Sequence, residues 1–99
     1  MSRLEEVLEK LRGLEPALRA RGVGRLAVFG STARGEERPD SDVDILFDWS
    51  PGAKVGVTQL FDVQDLIEGR LAQKVDLLDA PSIKPAMRDR IIRESVNAF

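Results

Sequence analysis

The sequence has 99 residues, carries 15 Lys and Arg against 17 Asp and Glu for a formal net charge of −2, and contains neither cysteine nor histidine. That excludes disulfides and thiolate chemistry and removes the commonest general base and zinc ligand, so any catalysis falls to carboxylates, hydroxyls, lysine or arginine. The length suits one small domain over residues 1–99, and the slightly acidic balance disfavours a nucleic acid as partner.

No apolar run approaches the roughly 20 residues of a membrane span and no signal-peptide pattern opens the chain, so no membrane role and a cytoplasmic location are expected. In chain order, "SRLEEVLEKLRGL" sets Leu4, Val7, Leu8 and Leu11 at the spacing of one helical face, with Ser2 and Glu5 as a capping box. Gly13 and Pro16 break or restart this helix, which ends near Gly22. "RLAVF", Arg25 to Phe29, reads as a short buried strand, and "STARGEE" as a turn or two of helix. Pro39 punctuates, and "DVDILFD" is the second strand. "WSPG", Trp49 to Gly52, is a turn or loop. "TQLFDVQDLIEGRL" carries Leu60, Val63, Ile67 and Leu71 on one helical stripe. "KVDLLD", Lys74 to Asp79, is a third strand. "SIKPAMRDRIIRESV" is a last helix with Pro85 near its start and Met87 and Ile91 turned inward. The order α-β-α-β-α-β-α implies an α/β or α+β sheet domain. Phe29, Phe47, Trp49, Phe61 and Phe99 read as core or interface, with Trp49 the best placed for a partner contact or pocket rim.

Side chains alternate along a strand, so Asp42 and Asp44 share one face while Val43, Ile45 and Phe47 share the other. Read alone, the acid pair is also what an ordinary amphipathic strand shows to solvent. Aspartate is nonetheless depleted in strands. If the second and third strands are neighbours, Asp76 comes alongside the pair. Three clustered carboxylates repel one another unless a cation lies among them. Hard oxygen donors with open positions suit Mg²⁺ or Mn²⁺, and two such ions can activate an attacking oxygen and neutralise a leaving phosphate without histidine. Asp40, Asp48 and Asp79 read as surface or turn residues.

Gly30 and Ser31 follow a strand and open a helical segment, where backbone N–H groups can hold a phosphate. The Ser31 hydroxyl can donate to a phosphate oxygen or simply cap the helix. Arg34, one turn on, has the planar fork that grips phosphate, or is a solvated helix residue. Lys84 and Arg88 are basic side chains that the sequence does not place relative to this site, and "RDRIIRE", Arg88 to Glu94, reads as a solvated helix face.

Gly30-Ser31, ten residues, Asp42-Val43-Asp44 and a later strand with Asp76 together resemble the signature of the DNA polymerase β-type nucleotidyltransferase superfamily. "FGSTARGEERPDSDVDILFD" is similar to the minimal nucleotidyltransferase (MNT) domain, and the resemblance extends over nearly the whole chain. It implies a small mixed sheet with helices packed on it. It implies that Asp42 and Asp44 hold catalytic Mg²⁺, that Asp76 completes the acidic triad nearest the attacking hydroxyl, and that Gly30 and Ser31 hold the nucleotide's phosphates. The family reaction moves a nucleoside monophosphate from a nucleoside triphosphate to an acceptor and releases pyrophosphate. MNT proteins commonly act as antitoxins beside a HEPN-type ribonuclease toxin, with transfer of AMP from ATP to a toxin tyrosine as the precedent, which makes ATP and a HEPN toxin the expected partners in a homo- or hetero-oligomer. Thr32 stands where many relatives carry a larger residue. The segments with which larger relatives grip acceptors have no counterpart here, so a partner is expected to supply the acceptor surface. The alternative is a binding module that masks a partner by contact; transfer to a small molecule such as an aminoglycoside is a weaker third reading.

Overall fold

A computed structural model of the chain describes residues 2–36, 38 and 41–99; Pro39 and Asp40, read above as punctuation and surface, lie outside the described residues. Helix α1 (Arg3–Gly13) starts at Ser2, whose hydroxyl accepts the Glu5 amide at 3.1 Å and donates to the Glu5 carboxylate at 3.2 Å. It stops after Gly13, and Pro16 sits in the first turn of α2 (Glu15–Ala20), where a missing N–H costs no helical bond. Gly22, with φ +97°, turns the chain into β1 (Val23–Phe29). Then follow α3 (Gly30–Arg34), β2 (Val43–Trp49), α4 (Val57–Leu71), β3 (Val75–Asp79), a 3₁₀ turn (Ala80–Ser82), α5 (Pro85–Glu94) and β4 (Val96–Asn97).

The sheet order is β3-β2-β1-β4. β1 runs antiparallel to both β2 and β4, while β2 and β3 are parallel, so the sheet is mixed. Parallel neighbours need a crossover, and α4 supplies it.

The two faces of the sheet are unequally covered. Val43, Ile45 and Phe47 of β2 join Leu26, Val28 and Val75 in a thick core against Val7, Leu11, Leu18, Val63 and Ile67 of α1, α2 and α4. The opposite face has a thin apolar patch of Ala27, Leu46 and Ile83, with Phe29, Leu78 and Ile91 packed on it. Asp44 and Asp48 alternate with Leu46 on this thin face, as the sequence predicted for Asp44. One sparsely covered face is what leaves the acids accessible.

Four expectations need correction. Met87 does not turn inward; it is 55% exposed, because α5 meets the sheet through Ile91 while Ile83, just before the helix, takes the buried position. Trp49 ends β2 rather than opening a turn, with its ring edge-on to Phe47 at 5.1 Å. Asp79 is not simply a surface residue: its Oδ1 is shut off from solvent. The sequence also hid β4, which is held by the Ala98 amide on the Leu26 carbonyl at 2.8 Å and by Arg12 on the Ala98 and Asn97 carbonyls. Among the described residues no helix is long and apolar enough to cross a membrane.

Candidate active site

The strand order puts β2 between the two other elements that matter. Asp44 is in register with Asp76 of β3 on one side and with Phe29 of β1 on the other. Gly30, the next residue after Phe29, therefore lies beside Asp44. Paired residues project to the same face, so Asp44 and Asp76 stand side by side on the thin face. Asp42 precedes the first residue of β2 and is exposed.

The start of each strand is pinned by contacts that span the sequence. The Val43 amide donates to the Lys74 carbonyl at 3.0 Å. The Gln73 side-chain amide donates to the Ser41 carbonyl, and Arg3 donates to the Gln73 side-chain Oε1. The Glu68 carboxylate accepts the Val75 amide at 2.9 Å. These bonds fix the backbone on both sides of Asp42 and immediately before Asp76. The sequence reading missed Gln73, Glu68 and Arg3. Gln73 and Ser41 are 32 positions apart, and no local spacing links them.

Burial pushes the Asp44 pKa up, and the Asp76 and then Asp42 carboxylates push it further; Arg34 pulls the other way. The three acids thus share one field. A cation among them would relieve both the repulsion and the lost hydration. Among the described residues they do not close into a ligand group that would enclose an ion unaided. Mg²⁺ is usually held by one or two carboxylates with the remaining positions left to water and substrate phosphate, and Asp44 and Asp76, paired across β2 and β3, are the two that the register brings together. The donor set fits this ion, and Mn²⁺, with the same preference for oxygen, fits equally.

Phe29 is the N-cap of α3, and among the described residues no side chain caps this helix. Ser31 lies inside the first turn instead, so simple capping does not account for it. The first N–H groups of a helix have no intrahelical partner and suit an anion. Gly30 enters the turn with φ +72°, in the left-handed region that favours glycine. Thr32 is 1% exposed and faces the interior, so it does not line a nucleotide surface.

Arg34 is exposed and ion-paired, with Glu36 at 3.0 Å and Glu94 of α5 at 3.5 Å. Its charge reaches Asp44, but its fork is spent on these two carboxylates in this structure. Arg88 donates to the Pro81 and Ile83 carbonyls and lines a shallow hollow with Asp48 and Ile92. This places it near the far end of β2, away from the acids around Asp44. Lys84 is exposed just ahead of α5. The more enclosed cavity of about 110 Å³, lined by Arg25, Leu46, Asp48 and Ile92 among others, lies at that far end too. The acids around Asp44 occupy an open face, which suits a substrate presented by another molecule better than one swallowed whole.

The nucleotidyltransferase domain family matches residues 4–98. The chain is 36% identical over 97 residues to the protein adenylyltransferase MntA of Thermococcus cleftensis, covering 97% of this chain and 96% of that protein. It is similar to a solved minimal nucleotidyltransferase with a TM-score of 0.71 at 32% identity, covering 97% and 95% of the two chains. A chain in the complex of a tri-AMPylated Shewanella oneidensis HEPN toxin with an MNT antitoxin shares the fold, with a TM-score of 0.65 at 16% identity, over 97% of this chain and 71% of that one.

Proposed function

Because this chain belongs to the nucleotidyltransferase domain family, we propose that it is a Mg²⁺-dependent protein adenylyltransferase that moves AMP from ATP to a tyrosine hydroxyl of a HEPN-type toxin in the cytoplasm, and so acts as the toxin's antitoxin. The observation that carries the reading is the register pairing of Asp44 with Asp76 beside the uncapped turn at Gly30. The protein target and the HEPN partner are supported by what the relatives and fold neighbours are named for.

Asp42, Asp44 and Asp76 would hold Mg²⁺ or Mn²⁺, two ions by the resemblance, which supply charge neutralisation at the phosphates and favour the ionised acceptor hydroxyl. The uncapped N–H groups of α3 and the Ser31 hydroxyl donate to the non-bridging oxygens of the triphosphate. Arg34, released from Glu36 and Glu94, adds a charged fork to the same oxygens. By the resemblance Asp76 is the carboxylate nearest the acceptor, and it takes the hydroxyl proton. The acceptor oxygen then bonds to the α-phosphorus, the bond from that phosphorus to the bridging oxygen breaks, and pyrophosphate leaves with the electron pair. Positioning and charge stabilisation carry such a step, and no histidine is required.

The test uses ATP labelled on the α-phosphate, the protein, Mg²⁺ and a purified HEPN partner. Label is expected on the partner with wild type, lost on chelation of the metal, and absent with Asp42→Asn/Asp44→Asn. Equal labelling by the double variant would refute the proposal. Full neutralisation of the toxin by that variant, with no change in toxin mass, would replace catalysis by masking through contact.

A further inference from the structure

The structure has several glycines in the left-handed region, and they differ in what surrounds them. Among the described residues nothing stands where a side chain would start at Gly35, φ +74°, or Gly52, φ +78°, so backbone conformation explains them. Gly30 at φ +72° is different. A Cβ there would overlap the Asp44 Oδ2 and stand 3.0 Å from its Cγ and 3.2 Å from its Cβ. The space vacated by the missing side chain is therefore filled by the Asp44 carboxylate.

We propose that Gly30 is a positioning residue for Asp44, in that its missing side chain forms the seat that fixes the Asp44 carboxylate against the turn and beside Asp76. The requirement for glycine then has two sources. One is the backbone angle, shared with Gly52. The other is room for a carboxylate, which Gly52 does not need. A methyl group at position 30 requires the Asp44 carboxylate to leave its present rotamer, away from its place next to Asp76, because Oδ2 is the atom it would overlap. The role of glycine in this turn thus begins with a neighbouring acid of the same chain, before any phosphate arrives. This deepens the reading of the site under the proposed function, yet the seat itself is measurable without any transfer reaction.

The experiment is a double-mutant cycle on the intact chain, read by thermal melting, with Gly52→Ala as the control for backbone strain. Gly30→Ala is expected to lower Tm by at least about 4 °C more than Gly52→Ala does. In an Asp44→Ala background most of that difference should disappear, because the carboxylate that needed the seat is gone and only the 3.2 Å approach to the Cβ of residue 44 remains. Should Gly30→Ala fail to fold, a folded Gly30→Ala/Asp44→Ala chain shows the same rescue. A Gly30→Ala cost equal to that of Gly52→Ala, or unchanged by removing the Asp44 carboxylate, overturns the proposal. Mn²⁺ titration, followed by the signal of the free ion, is the second readout: Gly30→Ala should weaken binding by about tenfold or more, as loss of a group that orients a ligand commonly does. Coupling in the melts together with no Mn²⁺ binding by wild type would leave the seat standing and count against the metal part of the proposed function.

Discussion

The strands β2 and β3 carry acids at both ends, and the two ends behave differently. At one end Asp44 pairs with Asp76; at the other Asp48 lies near Asp79. Asp44 and Asp79 both have raised pKa values, and burial is the leading cause in each, followed by repulsion from neighbouring acids. By that measure alone either end qualifies as a site. The surroundings separate them. Asp44 adjoins a turn whose N–H groups no side chain among the described residues caps, and it feels the positive charge of Arg34. The Asp79 Oδ1 is enclosed with no hydrogen-bond partner among the described residues, beside an apolar groove of about 440 Å³ lined by Phe47, Trp49, Val57 and Leu60 among others. A perturbed carboxylate marks a functional site only when groups that suit its ligand converge on it.

The largest expected effect tests this contrast directly. Under the proposed function Asp44→Asn should reduce AMP transfer by about a thousandfold or more, as loss of the proposed metal ligand would remove most of the charge stabilisation. Asp79→Asn should leave the transfer rate within about twofold, in line with a substitution outside the reacting groups. Comparing initial rates of label incorporation from α-labelled ATP measures both. Equal losses from the two substitutions would erase the distinction between the ends.

Stability gives the far end an effect of its own. The folded chain holds the Asp79 proton more tightly than an unfolded chain does, so the ionised form is the one that folding penalises. Below the ordinary aspartate value of 3.8 the group is protonated in both states and contributes nothing. The penalty grows as pH rises through 3.8 to the raised folded value and is complete above it. Asp79→Asn, which removes the charge, should therefore raise Tm at pH 7, and the gain should vanish at about pH 3. Part of the side chain reaches solvent, so screening limits the gain to less than about 1 kcal/mol, or a few degrees for a chain of this size. A constant gain from pH 3 to pH 7 would show that something other than the charge is responsible.

How far these features could be read from the sequence depends on the range of the interactions behind them. Local spacing was enough for α1, where Val7, Leu8 and Leu11 are buried and Ser2 caps the start. Alternation was enough to put Val43, Ile45 and Phe47 on one face of β2 and Asp44 on the other. Alternation with the conditional pairing of two strands also brought Asp76 beside Asp44, and the register sets them directly opposite. The bridge from Gln73 to Ser41 and the ion pair from Arg34 to Glu94 join segments far apart in the chain, and neither end carries a distinguishing motif. β4 has only two residues, too few for any alternation to show, and it depends on Arg12 and Leu26 for its bonds. Met87 was misplaced because helical spacing identifies a stripe but not how much of it a neighbouring element covers; α5 covers a thin patch with Ile91 alone on its inner side.

The smallest expected effect separates the two causes acting on Asp79. Its burial outranks the repulsion from Asp48. Asp48→Asn removes only the repulsion, so its gain in Tm at pH 7 should be smaller than that of Asp79→Asn, about 1 °C. In the Asp79→Asn background the same substitution should give no gain, because the charge it repelled is absent. Raising the ionic strength to about 1 M shortens the screening length to about 3 Å, which should erase the gain from Asp48→Asn while leaving most of the gain from Asp79→Asn, since salt does not rehydrate an enclosed oxygen. A gain from Asp48→Asn that survives high salt, or that persists without the Asp79 charge, would mean that the far end is governed by packing around Asp48 and that the two ends of β2 differ in more than the ligands they can attract.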